Sequence, residues 1–155
     1  MTELLYDEME SPLGTLVLVR DDEGLCALGY GECEARLKAR RQDLGEFRSR
    51  LQAYFAGELA ALDDIRVSLR GTPFQKRVWN ALRSIPAGKT ASYLEIAAKI
   101  SPPSVARAVG QANARNPVAI VVPCHRVVGA DGSLTGYAGG VERKRWLLTH
   151  EGARL

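Results

Sequence analysis

Two helix starts, twenty residues apart, and the prolines that follow them fix most of what residues 72–117 can become. Thr72-Pro73-Phe74-Gln75 reads as an N-cap, a proline at the first helical position and a glutamine that closes a capping box. Phe74, Val78, Ala81, Leu82 and Ile85 then recur at helical spacing, which gives one apolar face. Pro86-Ala87-Gly88 ends that helix. Ser92 with Glu95 opens a second, covered by Leu94, Ile96, Ala97 and Ile100, and Ser101-Pro102-Pro103 stops it. Ser104 to Ala114 is a third, alanine-rich helix, broken by Asn116-Pro117. Two short helices about a tight turn, the second bearing Arg107 and Arg115, fit a helix-turn-helix. An ordinary αα-hairpin fits the same spacing.

Charge favours the first of these. Residues 1–70 carry 9 Lys+Arg against 14 Asp+Glu, a net of −5; residues 71–155 carry 12 against 4, a net of +8. A basic half of this kind suits a polyanion. With 155 residues, 46% hydrophobic and 25% charged, the chain is sized for one domain or two small ones. No window nears 18 continuous apolar residues, so no membrane span is expected, and the acidic start lacks the apolar stretch of a secretory signal. Three cysteines, Cys26, Cys33 and Cys124, do not make a disulfide framework, and the reducing cytoplasm is the expected compartment.

The first half reads as a small α/β unit. Thr15–Val19 and Leu25–Tyr30 are strand candidates around the turn 21–24, and Val67–Leu69 is a third. Ser11-Pro12-Leu13-Gly14 is a turn, and Arg48 to Glu58 is a helix that ends near Gly57. No residue type here suggests catalysis. In the second half, Val118–Val122 is a continuous apolar run, read as a buried strand. Val127-Val128 and Leu134 flank a turn-rich segment suited to a hairpin or wing. Gly136–Gly140 is a loop, and Val141–Glu151 a last helix that buries Trp146, Leu147 and Leu148 and stops at Gly152.

Cys124 is the residue that calls for chemistry. The apolar run delivers it to an abrupt Pro123-Cys124-His125-Arg126 break, beside an imidazole and a guanidinium that favour a thiolate if their charges come near the sulfur. A free cysteine is also a common small core residue. In a regular strand Cys124 and His125 face opposite ways, so contact requires a turn at Pro123 or a bridging water. An orienting carboxylate must come from Glu95, Asp131, Glu142 or Glu151. Glu151 stands where the helix macrodipole disfavours a negative charge, which hints at a role. With two histidines, His125 and His150, and no C-x-x-C, a metal site fits poorly, and no phosphate-loop pattern occurs.

Pro123-Cys124-His125-Arg126-Val127-Val128 resembles the active-site signature of the O6-alkylguanine-DNA alkyltransferases. Gly71–Gln75 with Val78-Trp79, Ser92-Tyr93, Arg107–Gly110, Asn116-Pro117, Gly136-Tyr137, Gly139-Gly140, Leu147-Leu148 and Glu151-Gly152 follow the same family in order. The likeness covers about residues 71–152 and, through Ser11–Gly14, weakly the first half.

The resemblance implies an α/β architecture: a ribonuclease-H-like domain over 1–69, then a winged helix-turn-helix domain over 70–155. It implies that Cys124 accepts an alkyl group from O6-alkylguanine in DNA, with O4-alkylthymine a second candidate donor, once per molecule and without a cofactor. His125 would act through water as its base, oriented by Glu151, with Asn116 a hinge. Tyr93 would press on a phosphate of the flipped nucleotide and protonate the leaving guanine. Arg107 would fill the vacated stack, and Thr90, Ser92, Ala108, Gln111 and Ala112 would join it on the minor groove of double-stranded DNA. Tyr137, Val127, Asn113, Ala119 and Ala138 would line the guanine pocket. Cys26 and Cys33, without a histidine in that half, give no zinc site, and a monomer is expected. The competing readings are a DNA-binding module without transfer activity and a Cys–His hydrolase.

Overall fold

The computed structural model describes residues 3–31 and 33–155. Met1, Thr2 and Glu32, inside the expected first domain, lie outside the described residues. The chain divides into two compact units, Met1–Arg70 with Pro117–Val121, and Gly71–Asn116 with Val122–Leu155.

The first unit is built on a four-stranded sheet and an α-helix. Strands β1 (Leu5–Ser11), β2 (Gly14–Arg20), β3 (Leu25–Tyr30) and β4 (Arg40–Arg41) lie in the order β3-β2-β1-β4. β2 is antiparallel to both neighbours, and β4 adds in parallel to β1. Leu16, Val17, Leu18 and Val19 are all fully buried, so β2 reads as a continuous apolar run instead of an alternation. The helix α1 (Gly45–Phe55) buries Phe47, Leu51 and Tyr54.

β1, which the sequence pattern does not announce, carries a buried aspartate. Asp7 accepts the Leu44 amide at 2.9 Å and bonds Arg48 on α1. Burial alone would raise its pKa, but these partners hold it below the usual carboxylate range. Asp21 does the same at the β2–β3 turn, taking Ser68 Oγ at 2.6 Å and Arg70 Nη2 at 2.8 Å. Gly24 is required there: at φ +149 a Cβ would meet the Arg66 carbonyl oxygen at 2.5 Å. The expected strand at Val67–Leu69 shrinks to a single bridge, Leu25 to Val67.

The expected strand at Val118–Val122 is overturned. Only Val118 bridges, to Leu28. The chain then turns twice. The Val121 amide donates to Ala119 O at 2.8 Å about Ile120, whose φ is +71. The Cys124 amide donates to Val122 O at 2.8 Å about Pro123, at φ −82, ψ 64. These are two γ-turns, the first of the strained positive-φ kind. The apolar run is buried, but it is not extended.

The second unit is helical. α2 (Pro73–Leu82) has both halves of the Thr72–Gln75 capping box. After β5 (Ala91–Ser92), α3 (Tyr93–Lys99) has both halves of the Ser92–Glu95 box. α4 (Ala106–Ala114) starts two residues later than the sequence suggests. The three pack together, and Trp79 Nε1 donates to Ala112 O at 2.8 Å. Gly71 has to be glycine, because a Cβ would meet the Trp79 ring at 2.6 Å. β6 (Val127–Val128) pairs in parallel with β5, not with Leu134, so the expected hairpin is a tight turn closed by the Gly129 amide on Ser133 O at 2.9 Å. α5 (Val141–His150) buries Leu147 and Leu148, and Gly152 follows at φ +78. Trp146 is only half-buried, stacked on His150, and Lys144 takes the inward place instead.

Candidate active site

The Pro123 turn solves the geometric problem that a strand poses. Cys124–Arg126 form one turn of 3-10 helix, in which successive side chains diverge by about 120°. Cys124, His125 and Arg126 are all buried.

His125 and Arg126 converge on Glu151, just past the end of α5. His125 Nε2 lies 2.9 Å from Glu151 Oε2; Arg126 Nε donates to Oε1 at 2.8 Å and Nη2 to Oε2 at 2.9 Å. Arg126 Nη1 adds the Ile85 carbonyl at 2.6 Å. This is a bidentate guanidinium–carboxylate fork with an imidazole on one prong. Burial pushes Glu151 up, yet hydrogen bonds from His125 and Arg126 outweigh it and bring the carboxyl down to about 2. Burial pushes His125 the other way, below its ordinary value, so the imidazole is neutral. A carboxylate on Nε2 means that Nε2 carries the proton, which leaves Nδ1 as the basic nitrogen. Nδ1 is buried, with no hydrogen-bond partner among the described residues.

Cys124 is 6% exposed, and burial raises its thiol above the ordinary value. Against this act a hydrogen bond from Asn116, the charge of Lys144 and a backbone amide. Asn116 also donates Nδ2 to Val122 O at 2.7 Å, pinning the segment that leads to the cysteine. Asn113 Nδ2 reaches Cys124 O at 3.4 Å, and its Oδ1 is buried with no partner among the described residues.

The remaining expected residues fall in three groups. Arg107 and Gln111 are exposed on α4, Ala108 is half-buried, and Thr90 and Ser92 precede α3. Ala112 differs from expectation: it is buried against α2, with its carbonyl taken by Trp79. Tyr93 Oη donates to Thr135 O at 3.3 Å, in the loop where Tyr137 is half-buried and Ala138 exposed. Val127 is fully buried, and Ala119 belongs with the first unit. Two functional-looking residues escaped the sequence reading: Arg126 as partner of Glu151, and Lys144. An Arg next to the cysteine pointed to the first, whereas a Lys at an apolar-phase position of the last helix was the signal for the second. No cluster of metal-ligating side chains occurs among the described residues, and no helix is long and apolar enough to cross a membrane.

Residues 73–153 match the family 6-O-methylguanine DNA methyltransferase, DNA binding domain, and residues 4–69 its ribonuclease-like domain. The chain is 44% identical over 170 residues to the methylated-DNA–protein-cysteine methyltransferase of Salmonella typhimurium, covering 100% of this chain and 99% of that one. It is 47% identical over 163 residues to the relative of the same name in Mycobacterium bovis, covering 96% and 93%. The crystal structure of Mycobacterium tuberculosis OGT in complex with DNA is similar at 48% identity and TM-score 0.87, over 96% of this chain and 92% of that one.

Proposed function

The chain belongs to the 6-O-methylguanine DNA methyltransferase family, and from that premise we propose that it repairs DNA by direct reversal, moving an alkyl group from guanine O6 to its own Cys124. The observation that carries the reading is the buried Cys124 turn backed by the His125–Glu151–Arg126 cluster, in the unit whose sequence carries the basic charge.

The chemistry follows from these groups. The lesion lies inside the base stack, so the nucleotide is extruded at a cost of a few kcal/mol. His125 Nδ1, through a water, takes the Cys124 proton, and Glu151 steadies the imidazolium. The sulfur attacks the alkyl carbon, the C–O6 bond breaks, and guanine leaves with the bonding electrons and takes a proton, for which Tyr93 is the assigned donor. A thioether has no facile leaving path, so each molecule acts once. No donor cofactor enters the balance, because the lesion supplies the alkyl group. Asn116 serves as the hinge, and Tyr137, Val127, Asn113 and Ala138 as the guanine pocket. Thr90, Ser92, Ala108, Gln111 and Ala112, the last as a small spacer, support the DNA face. The assigned partner is the minor groove of duplex DNA, met by a cytoplasmic monomer with domains at 1–69 and 70–155.

Incubation with duplex DNA containing O6-methylguanine tests this. Intact and peptide masses should show one added methyl on the Cys124 peptide, in a burst that stops at one equivalent. Turnover beyond one equivalent, or a methyl on another residue, refutes it. Arg107, exposed on α4, gives a second prediction. Arg107→Ala should slow repair in duplex DNA at least about ten-fold, the scale of 1–3 kcal/mol for one lost stacking contact, while reaction with free O6-benzylguanine stays within about two-fold. Equal losses on both substrates would remove its role in extrusion.

A further inference from the structure

Asn113 lies in the last turn of α4 and is only 5% exposed. Asparagine is a weak helix former, and an amide buried without partners is costly, so a leucine would suit this place better on stability alone. The amide is half used. Nδ2 reaches the Cys124 carbonyl at 3.4 Å, a long contact within the same unit, whereas Oδ1 is buried with no partner among the described residues. The contact also fixes which way the amide faces: with Nδ2 on a carbonyl, the oxygen is the atom left over. An unsatisfied hydrogen-bond acceptor therefore sits on a side chain that touches the backbone of the nucleophile.

The substrate can satisfy it in one way. Alkylation at O6 removes the proton from N1, so N1, N3, N7 and O6 of the lesion are all acceptors, and the 2-amino group is the only donor on the base. That amine flanks N1 opposite O6, on the edge that must face Cys124 for the alkyl carbon to meet the sulfur. We propose that Asn113 is a specificity-determining residue of the guanine pocket: Oδ1 accepts the 2-amino group of the extruded O6-alkylguanine and so selects it over alkylated bases that lack the amine. The proposal rests on the alkyl-transfer reading above and names the atom that reads the base. Two lesions fall on the other side of it. O6-alkylhypoxanthine is the same purine with hydrogen at C2, and O4-alkylthymine has neither the amine nor, once alkylated, a ring N–H. Either would leave Oδ1 buried and unpaired during the reaction, and a site built for a donor rejects an analogue without it.

The test compares O6-methylguanine with O6-methylhypoxanthine at the same position of the same duplex. Single-turnover rates of Cys124 methylation are read by peptide mass for the parent and for Asn113→Leu. Leucine keeps the size and branching of asparagine and removes both polar atoms. The parent should favour the guanine lesion at least about ten-fold and the variant by no more than about three-fold, mainly because repair of guanine slows. Whatever the missing amine does to pairing and extrusion is common to both proteins and cancels in the quotient, as does any general loss of folded protein. A preference that Asn113→Leu leaves unchanged overturns the proposal, and so does a parent that repairs both lesions at equal rates. A second measurement needs no change at residue 113. Cys124→Ser, bound to each duplex in turn, holds the lesion without consuming it. The side-chain amide resonances of Asn113 should move with the guanine lesion and stay near their free positions with hypoxanthine; the same shift with both overturns the pairing. If the parent takes no methyl from either duplex, the transfer reading fails and this inference with it. If it takes methyl from both and the quotient holds, the transfer stands and the role of Asn113 falls.

Discussion

Cys124→Ser should fold as the parent does and transfer no methyl. The two side chains have nearly the same shape, and serine's hydroxyl can keep the hydrogen bond that Asn116 directs at this position, so thermal melting should move by no more than about 1–2 kcal/mol. The chemistry should not survive. Displacement at an alkyl carbon needs an anion at the attacking atom. A free thiol is a few per cent ionised at neutral pH; burial makes Cys124 less so, which leaves its deprotonation to the neutral histidine. An alcohol lies far beyond the reach of that imidazole. The expected loss is on the order of 10^6-fold, the scale on which removing a nucleophile acts in a triad enzyme, read as no methyl on the 124 peptide after prolonged incubation. DNA binding, measured by fluorescence anisotropy, should persist. Methyl transfer by the serine variant would put the acceptor elsewhere and undo the assignment of Cys124.

The parts of this protein legible in sequence are those where a side chain fixes its own backbone. α2 and α3 begin at Thr72 and Ser92 because each residue's oxygen binds the amide three residues on, and each box closes with Gln75 or Glu95. Gly152 likewise marks the end of α5. The losses come where hydrophobicity was asked to report conformation. Val118–Val122 is apolar because it is buried, and burial says nothing of φ; a positive φ at a β-branched isoleucine runs against every local preference. β1 escaped notice for the opposite reason. Its buried Asp7 hides the strand pattern, and the Arg48 that satisfies it lies 41 residues away. Glu151 was legible as a charge that the helix dipole disfavours. Lys144 left only a faint mark, its apolar-phase place on the last helix, and the usual surface reading of lysine hides that until a structure shows Nζ on the carbonyls of Thr135 and Gly136.

Glu151→Gln should cost both stability and transfer, for separable reasons. The carboxylate accepts from the Arg126 fork and pairs with His125 Nε2. Neutralising it leaves a buried guanidinium unmatched, which costs about 3–5 kcal/mol. It also lets an amide N–H face Nε2, which favours the tautomer with its proton on Nδ1 and so blocks the base. Transfer should fall on the order of 10^2–10^4-fold, as when the carboxylate behind a catalytic histidine becomes an amide. The pair Arg126→Met with Glu151→Met separates the two effects. Removing both charges should restore most of the lost stability in denaturant titrations, because no ion is left stranded, while methyl transfer stays absent. Acid gives an independent reading. The Glu151 pKa is about 2 when folded against 4.5 ordinarily, so its contribution is whole above 4.5 and is lost as pH falls toward 2, about 3 kcal/mol in all. His125 is depressed from 6.5, so its neutral form adds stability above 6.5 that begins to fade below that value. The parent should therefore lose stability in two stages on acidification. The glutamine variant should lack the one below 4.5, and an unaltered acid profile in that variant would mean that Glu151 is not the carboxylate that holds the cluster together.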